Sequence, residues 1–159
     1  MIALDLDGTI EDSRDDMVSA VHQVRAARGL RPIQDADIRP NVSRGMPHLY
    51  ATCLPELDDA AASYARAYAD GIADKTTLYP GILQTLKMLR GPLAVVTNKP
   101  EALSELLLEA LGIRDLFTAV VGGDSCAEAK PSPLMLEEAV RRCGRMQCLG
   151  ILQNCSELF

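Results

Sequence analysis

Four short segments, Ile2 to Leu6, Leu93 to Thr97, Thr118 to Val121 and Leu149 to Leu152, are continuous rather than alternating in apolar character. Strands buried on both faces have this pattern, which predicts a parallel sheet. Helical punctuation separates them. Pro100 stands at a helix start, Leu103, Leu106, Leu107, Ala110 and Leu111 recur at helical spacing, and Gly112 supplies the stop. Ser132 and Pro133 open a second helix, with Leu136, Ala139, Val140 and Cys143 inward and Gly144 at its end. A third runs from about Pro80 to Arg90 and closes at Gly91. Strand and helix alternating from Pro80 onward predict a doubly wound α/β core.

From Ser13 to about Leu78 the period changes. No strand pattern occurs there, and Ala is frequent among mixed acidic and basic residues. Met17, Ala20, Val21 and Val24 form one amphipathic stripe before Gly29, and Ala61 to Ala73, with Tyr64 and Tyr68, form another. The chain therefore divides into a core, residues 1–12 and 79–159, and an inserted all-helical segment, residues 13–78.

Composition narrows the function classes. With 159 residues, 48% of them hydrophobic, the chain suffices for one core with a small insertion. The net charge of −6 and the lack of any Lys or Arg run argue against nucleic acid and anionic membranes as partners. No apolar run reaches the roughly 20 residues of a membrane span, and the chain reads as cytoplasmic. Cys53, Cys126, Cys143, Cys148 and Cys155 are odd in number and contain no C-x-x-C pair, so reduced structural thiols are expected rather than a disulfide framework or zinc site.

The chemistry begins at once. Ile2-Ala3-Leu4-Asp5-Leu6-Asp7-Gly8-Thr9 places two carboxylates one residue apart at the mouth of a strand, followed by a turn. They point the same way only if the chain stays extended to Asp7. Carboxylates this close repel unless a cation sits between them or one keeps its proton. A strand-to-helix turn whose acids merely cap a helix is the plainer alternative.

The segment DLDGTIEDS closely resembles the opening motif of the haloacid dehalogenase-like phosphatases. The resemblance implies a Rossmann-like core with an inserted helical cap, Asp5 as the nucleophile that accepts the phosphoryl group, and Asp7 as general acid and base. It further implies Mg²⁺ as cofactor, with Asp5 and Asp7 as metal ligands. Thr97-Asn98-Lys99-Pro100, at a strand end where a helix begins, resembles the second motif and assigns Thr97 and Asn98 to the phosphate. Ala129-Lys130-Pro131-Ser132-Pro133 resembles the third, with Lys130 aimed at phosphate and nucleophile. VVTNKPE, VVGGDS and KPSP together look most like phosphoglycolate phosphatases, implying a small phosphorylated organic acid as substrate. Val42-Ser43-Arg44-Gly45 resembles their cap loop, where Arg44 would grip the substrate carboxylate, with His48 a weaker candidate.

The resemblance breaks at the fourth motif. Asn154, Cys155 and Ser156 stand where Gly-Asp-Ser is expected, no Asp follows Asp124, and nothing in the spacing of Glu157 compels it to substitute. The family's final strand and helix are also missing, so the chain reads as C-terminally truncated. Weakened metal binding, impaired turnover, and self-association or marginal stability through an uncovered sheet edge are the expectations. The alternative to a working phosphatase is a truncated relative that acts at most as a phosphate-binding or interaction module. Phosphoryl transfer to a sugar, as in related mutases, is a third reading; the VTNKPE and GGDS segments favour the hydrolase.

Overall fold

A computed structural model describes residues 1–42, 44–144 and 150–152. The chain forms two compact units, Met1–Asp12 with Thr77–Phe159, and Ser13–Thr76.

The first unit is built on a parallel sheet. Its strands are β1 (Ile2–Leu4), β4 (Leu93–Val96), β5 (Ala119–Val121) and β6 (Gly150–Leu152), in the order β5-β4-β1-β6. Ile2 pairs with Leu93 on one side and Gly150 on the other, and Val95 with Val120, all in parallel register. The chain steps outward from β1 to β4 and β5, then returns to β6 on the far side of β1. Such a reversal of direction is where open α/β sheets bind ligands, beyond the carboxyl ends of the strands.

The uninterrupted apolar runs follow from burial on both faces. Ala3, Ala94, Val96, Ala119 and Val121 share one face and pack with Met1, Met135 and Ala139. Leu4, Val95 and Val120, which alternate with them, are equally buried. Met135 and Ala139 lie on α7 (Leu134–Arg142), and Leu136, Val140 and Cys143 pack against the same cluster while partly exposed.

Helix α6 (Glu101–Ala110) differs in detail from the expected stripe. Leu103, Ser104, Leu107 and Leu108 are buried, whereas Leu106 is 43% exposed and Ala110 is exposed. Its face is rotated because Ser104 is buried at low cost, its hydroxyl donating to the Pro100 carbonyl at 3.0 Å. Helix α5 (Ile82–Met88) is shorter than expected and buries only Leu86. A single 3₁₀ turn, Arg114–Leu116, precedes β5.

One feature has no counterpart in the hydrophobic pattern. Strands β2 (Glu11–Asp12) and β3 (Thr77–Leu78) form a two-residue antiparallel ribbon, pairing Glu11 with Leu78 and Asp12 with Thr77. Thr77 and Leu78 consequently belong to the first unit, two residues earlier than the expected boundary.

The second unit is all helix: α1 (Arg14–Ala27), α2 (Asp35–Val42), α3 (Met46–Cys53) and α4 (Ala60–Asp70). The α1 stripe of Met17, Ala20, Val21 and Val24 is buried, as are Tyr64 and Tyr68 on α4, whose rings stack at 5.8 Å. The buried Arg25 donates to the Cys53 and Arg31 carbonyls and pairs with Glu56. At the end of this unit the buried Asp16 carboxylate accepts from the Lys75 N–H, the Thr76 N–H and the Thr76 hydroxyl, at 2.6 to 3.1 Å. Among the described residues Cys53 and Cys126 are free thiols, and burial pushes the Cys53 thiol pKa up.

Candidate active site

The chain leaves β1 as buried sheet and must turn sharply at its carboxyl end. Gly8 allows this with a φ of 75°, a conformation side chains disfavour, and its N–H donates to the Glu11 carbonyl at 2.9 Å. Leu6 accepts the N–H groups of Thr9 and Ile10, so the turn is closed upon itself. Asp5 and Asp7 flank Leu6 just before it.

The two acids have separate cationic partners. Asp5 is almost fully buried, and its Oδ1 accepts from the Leu6 N–H and from Lys130 Nζ, both at 2.8 Å. Asp5 Oδ2 is also buried and has no hydrogen-bond partner among the described residues. Asp7 Oδ1 pairs with Lys99 Nζ at 2.6 Å, and the Lys99 side chain is only 2% exposed. Two ammonium groups thus match two carboxylates, which answers the repulsion that their spacing implies. The buried hydroxyl of Thr9 likewise has no partner among the described residues.

Two further loops complete this end of the sheet. Thr97, at the end of β4, donates its N–H to Val121 O at 3.0 Å and accepts the Lys99 N–H on its hydroxyl at 3.2 Å. The hydroxyl proton of Thr97 remains available for an anion. Asn98 exchanges two hydrogen bonds with the main chain of Lys130: Lys130 N–H donates to Oδ1 at 2.9 Å, and Nδ2 donates to the Lys130 carbonyl at 3.4 Å. The Lys130–Pro131 peptide is cis.

Gly122 and Gly123 let these loops meet. A Cβ on Gly122 would lie 2.2 Å from the Glu101 nitrogen, and one on Gly123 would lie 2.5 Å from the Asn98 carbonyl oxygen. The Gly123 N–H donates to Lys99 O at 3.0 Å, and Asp124 Oδ1 accepts the Glu101 N–H at 2.7 Å. The GGDS segment is therefore a backbone contact and a cap for α6. Behind it, Glu101 is held below the usual carboxylate pKa chiefly by its hydrogen bond from Arg142, at 2.9 Å, and further by Ser125.

Asp5, Asp7, Thr97, Asn98 and Lys130 all lie in the first unit, linked by these contacts. Lys99 joins them without having been assigned from sequence. The signal was its place inside the TNKP segment, directly after the two expected ligands. Arg44 lies in the helical unit, exposed in the turn between α2 and α3, with its N–H donating to Asn41 O at 3.3 Å. His48 bonds Asn41 Oδ1 at 2.8 Å. Ser43 and the fourth-motif positions Asn154, Cys155, Ser156 and Glu157 lie outside the described residues.

A hard divalent cation suits the donors present. Mg²⁺ is commonly held by one or two carboxylates together with water and phosphate oxygens, and the buried, unpartnered Asp5 Oδ2 is an oxygen of that kind. Among the described residues no cluster of three or more His, Cys, Asp or Glu side chains offers a fuller metal cage. Among them, too, no helix is long and apolar enough to cross a membrane.

The model of the haloacid dehalogenase-like hydrolases matches residues 2–147. A phosphoglycolate phosphatase of Chromobacterium violaceum is 37% identical over 148 residues, covering 85% of this chain and 67% of that protein. Among solved structures, a haloacid dehalogenase-like hydrolase of Streptococcus pneumoniae superposes with a TM-score of 0.79 at 25% identity, over 98% of this chain and 76% of that one. CbbY of Rhodobacter sphaeroides, solved in complex with phosphate, superposes with a TM-score of 0.74 at 25% identity, over 90% of this chain and 72% of its own.

Proposed function

Because the chain belongs to the haloacid dehalogenase-like hydrolases, we propose that it hydrolyses small phosphate monoesters, 2-phosphoglycolate foremost, through a phosphoryl group carried on Asp5. The observation that carries this reading is the state of the Asp5 carboxylate. Oδ1 is pinned by Lys130 and the Leu6 N–H, while Oδ2 is buried with no partner among the described residues. A buried carboxylate oxygen without hydrogen bonds is costly, and it is nucleophilic for the same reason.

In this mechanism an Asp5 oxygen attacks phosphorus and the ester P–O bond breaks. Asp7 enters this step protonated and gives its proton to the departing oxygen, which leaves the carboxylate that pairs with the Lys99 ammonium. Asp7 then takes a proton from water as the water oxygen attacks the acyl phosphate, which frees inorganic phosphate and restores Asp5. The Thr97 hydroxyl, the main-chain N–H of Asn98 and the Lys130 ammonium hold the phosphoryl oxygens as their charge develops. Asp5 and Asp7 are the residues that would hold Mg²⁺, which when bound neutralises phosphate charge. Names of the relatives support the substrate class: phosphoglycolate for the Chromobacterium protein, and a bound phosphate in CbbY. We assign Arg44 to the carboxylate of such a substrate; an Arg44→Ala variant with unchanged KM removes that assignment.

The test is phosphate release from 2-phosphoglycolate, with and without Mg²⁺, by the wild type and Asp5→Asn. Asparagine keeps the shape but loses the nucleophile, so the expected result is metal-dependent release in the wild type and at least ~10³-fold less in a variant that melts normally. A folded wild type that releases nothing overturns the reading and favours a phosphate-binding relative without turnover.

A further inference from the structure

Resting on the phosphoryl-transfer reading above, we infer that the Asn98 side chain is a positioning device for Lys130 and not itself a ligand of the phosphate. An Asn in a turn ordinarily bonds its own neighbours. This one reaches a separate loop and uses both ends of its amide on a single residue: Oδ1 on the Lys130 N–H at 2.9 Å, and Nδ2 on the Lys130 carbonyl at 3.4 Å. The N–H and C=O of residue 130 flank its Cα, so the two bonds bracket the point from which the lysine side chain departs.

That point matters because a lysine stem is flexible and its ammonium rests where the Cα allows. Lys130 Nζ reaches Asp5 Oδ1 at 2.8 Å, so a shift of the 129–131 loop moves the cation away from the carboxylate that is to react. Asn98 in turn sits on a fixed base. Thr97 N–H is bonded to Val121 O, Gly123 N–H to Lys99 O, and the Asn98 carbonyl is so close to Gly123 that a Cβ there would lie 2.5 Å away. The rigid sheet is thereby connected through Asn98 to the one cation that touches Asp5 among the described residues.

The experiment is a double-mutant cycle on the full chain, with Asn98→Ala, Lys130→Met and the pair, read in two ways. The first needs no ligand: the Nζ resonance of Lys130 in isotope-labelled protein, assigned by its disappearance in Lys130→Met. In Asn98→Ala it is expected to move toward the position of solvent-exposed lysines, and an unmoved resonance overturns the proposal. The second is affinity for inorganic phosphate. Removing two hydrogen bonds is expected to weaken it about 5- to 20-fold in the wild-type background and less than about 2-fold when Lys130 is already Met. Equal weakening in both backgrounds means that Asn98 touches phosphate directly, and no weakening in either means that it serves neither role; both overturn the proposal. A chain that shows the resonance shift yet releases no phosphate from 2-phosphoglycolate refutes the reaction assigned above while leaving the positioning role standing.

Discussion

Replacing Gly122 by alanine adds one methyl group where a main-chain nitrogen already stands. The new Cβ would be 2.2 Å from Glu101 N, 2.5 Å from Glu101 Cα and 2.8 Å from Lys99 O. All three are backbone atoms, so no side chain can swing aside to relieve the contact. Gly122 and Gly123 are not among the glycines with positive φ, and the effect is therefore steric and not conformational. On backbone grounds alone, alanine would stabilise by about 0.4–1 kcal/mol by restricting the unfolded chain. Against that stands overpacking of about 1–3 kcal/mol. Moving the start of α6 away also strains the Gly123 N–H bond to Lys99 O and the Asp124 cap on Glu101 N–H, each worth about 1 kcal/mol. The net expectation is a loss of about 2–4 kcal/mol, together with weaker phosphate binding because the 97–99 turn moves. Urea unfolding monitored by circular dichroism measures the first and phosphate titration the second. Gly71→Ala is the control, since its nearest neighbour is a side-chain oxygen at 3.4 Å. A Gly122→Ala chain as stable as the wild type, with phosphate affinity unchanged, would refute the claim that the GGDS segment and the TNKP turn are in backbone contact.

In the helical unit, Asp16→Ala leaves the Lys75 and Thr76 N–H groups without their acceptor and is expected to cost about 3–5 kcal/mol, seen as faster hydrogen exchange at those two amides; unchanged exchange there sinks the assignment. The Arg142 cluster should make part of the stability acid-labile. Arg142 is the main cause holding Glu101 below its ordinary 4.5, and Arg141 and then Arg142 bring Glu138 down to about 2. Depressed carboxylates stabilise the fold above their unfolded pKa and lose that contribution as pH falls through the folded one, so the gap between wild type and Arg142→Met should be full above pH 4.5 and shrink toward pH 2. A gap of constant size over that range would contradict it.

The parallel sheet was legible because strands buried on both faces must be apolar at every position, and Leu93 to Val96 reads in no other way. The helix stripes were legible where packing follows period, as at Met17, Ala20, Val21 and Val24. They were less so at α6, where the hydroxyl of Ser104 returns to its own helix and rotates the buried face past Leu106. The β2–β3 ribbon was invisible, since two residues on each side carry no period. At the site, Asp5, Asp7, Thr97 and Lys130 stand out in the chain because their chemistry is local to short motifs. Lys99 is inside such a motif, but nothing along the chain says that its ammonium rests on Asp7, because that contact joins two strand ends. The same holds for Asn98, whose partner is decided by how closely Gly123 lets one turn approach another.

The ribbon has one more implication. Asp12 and Thr77 face each other across an antiparallel pair, so the chain departs for its long helical excursion and comes back at adjacent points. Closing so long a detour costs entropy that grows only with the logarithm of its length. For the sheet, what lies between the two ends is thus interchangeable: a tight hairpin, a longer bundle or a different insert all meet the same boundary condition. The helical unit can therefore be exchanged as one contiguous stretch while the strands that lead to Asp5 and Thr97 keep their register.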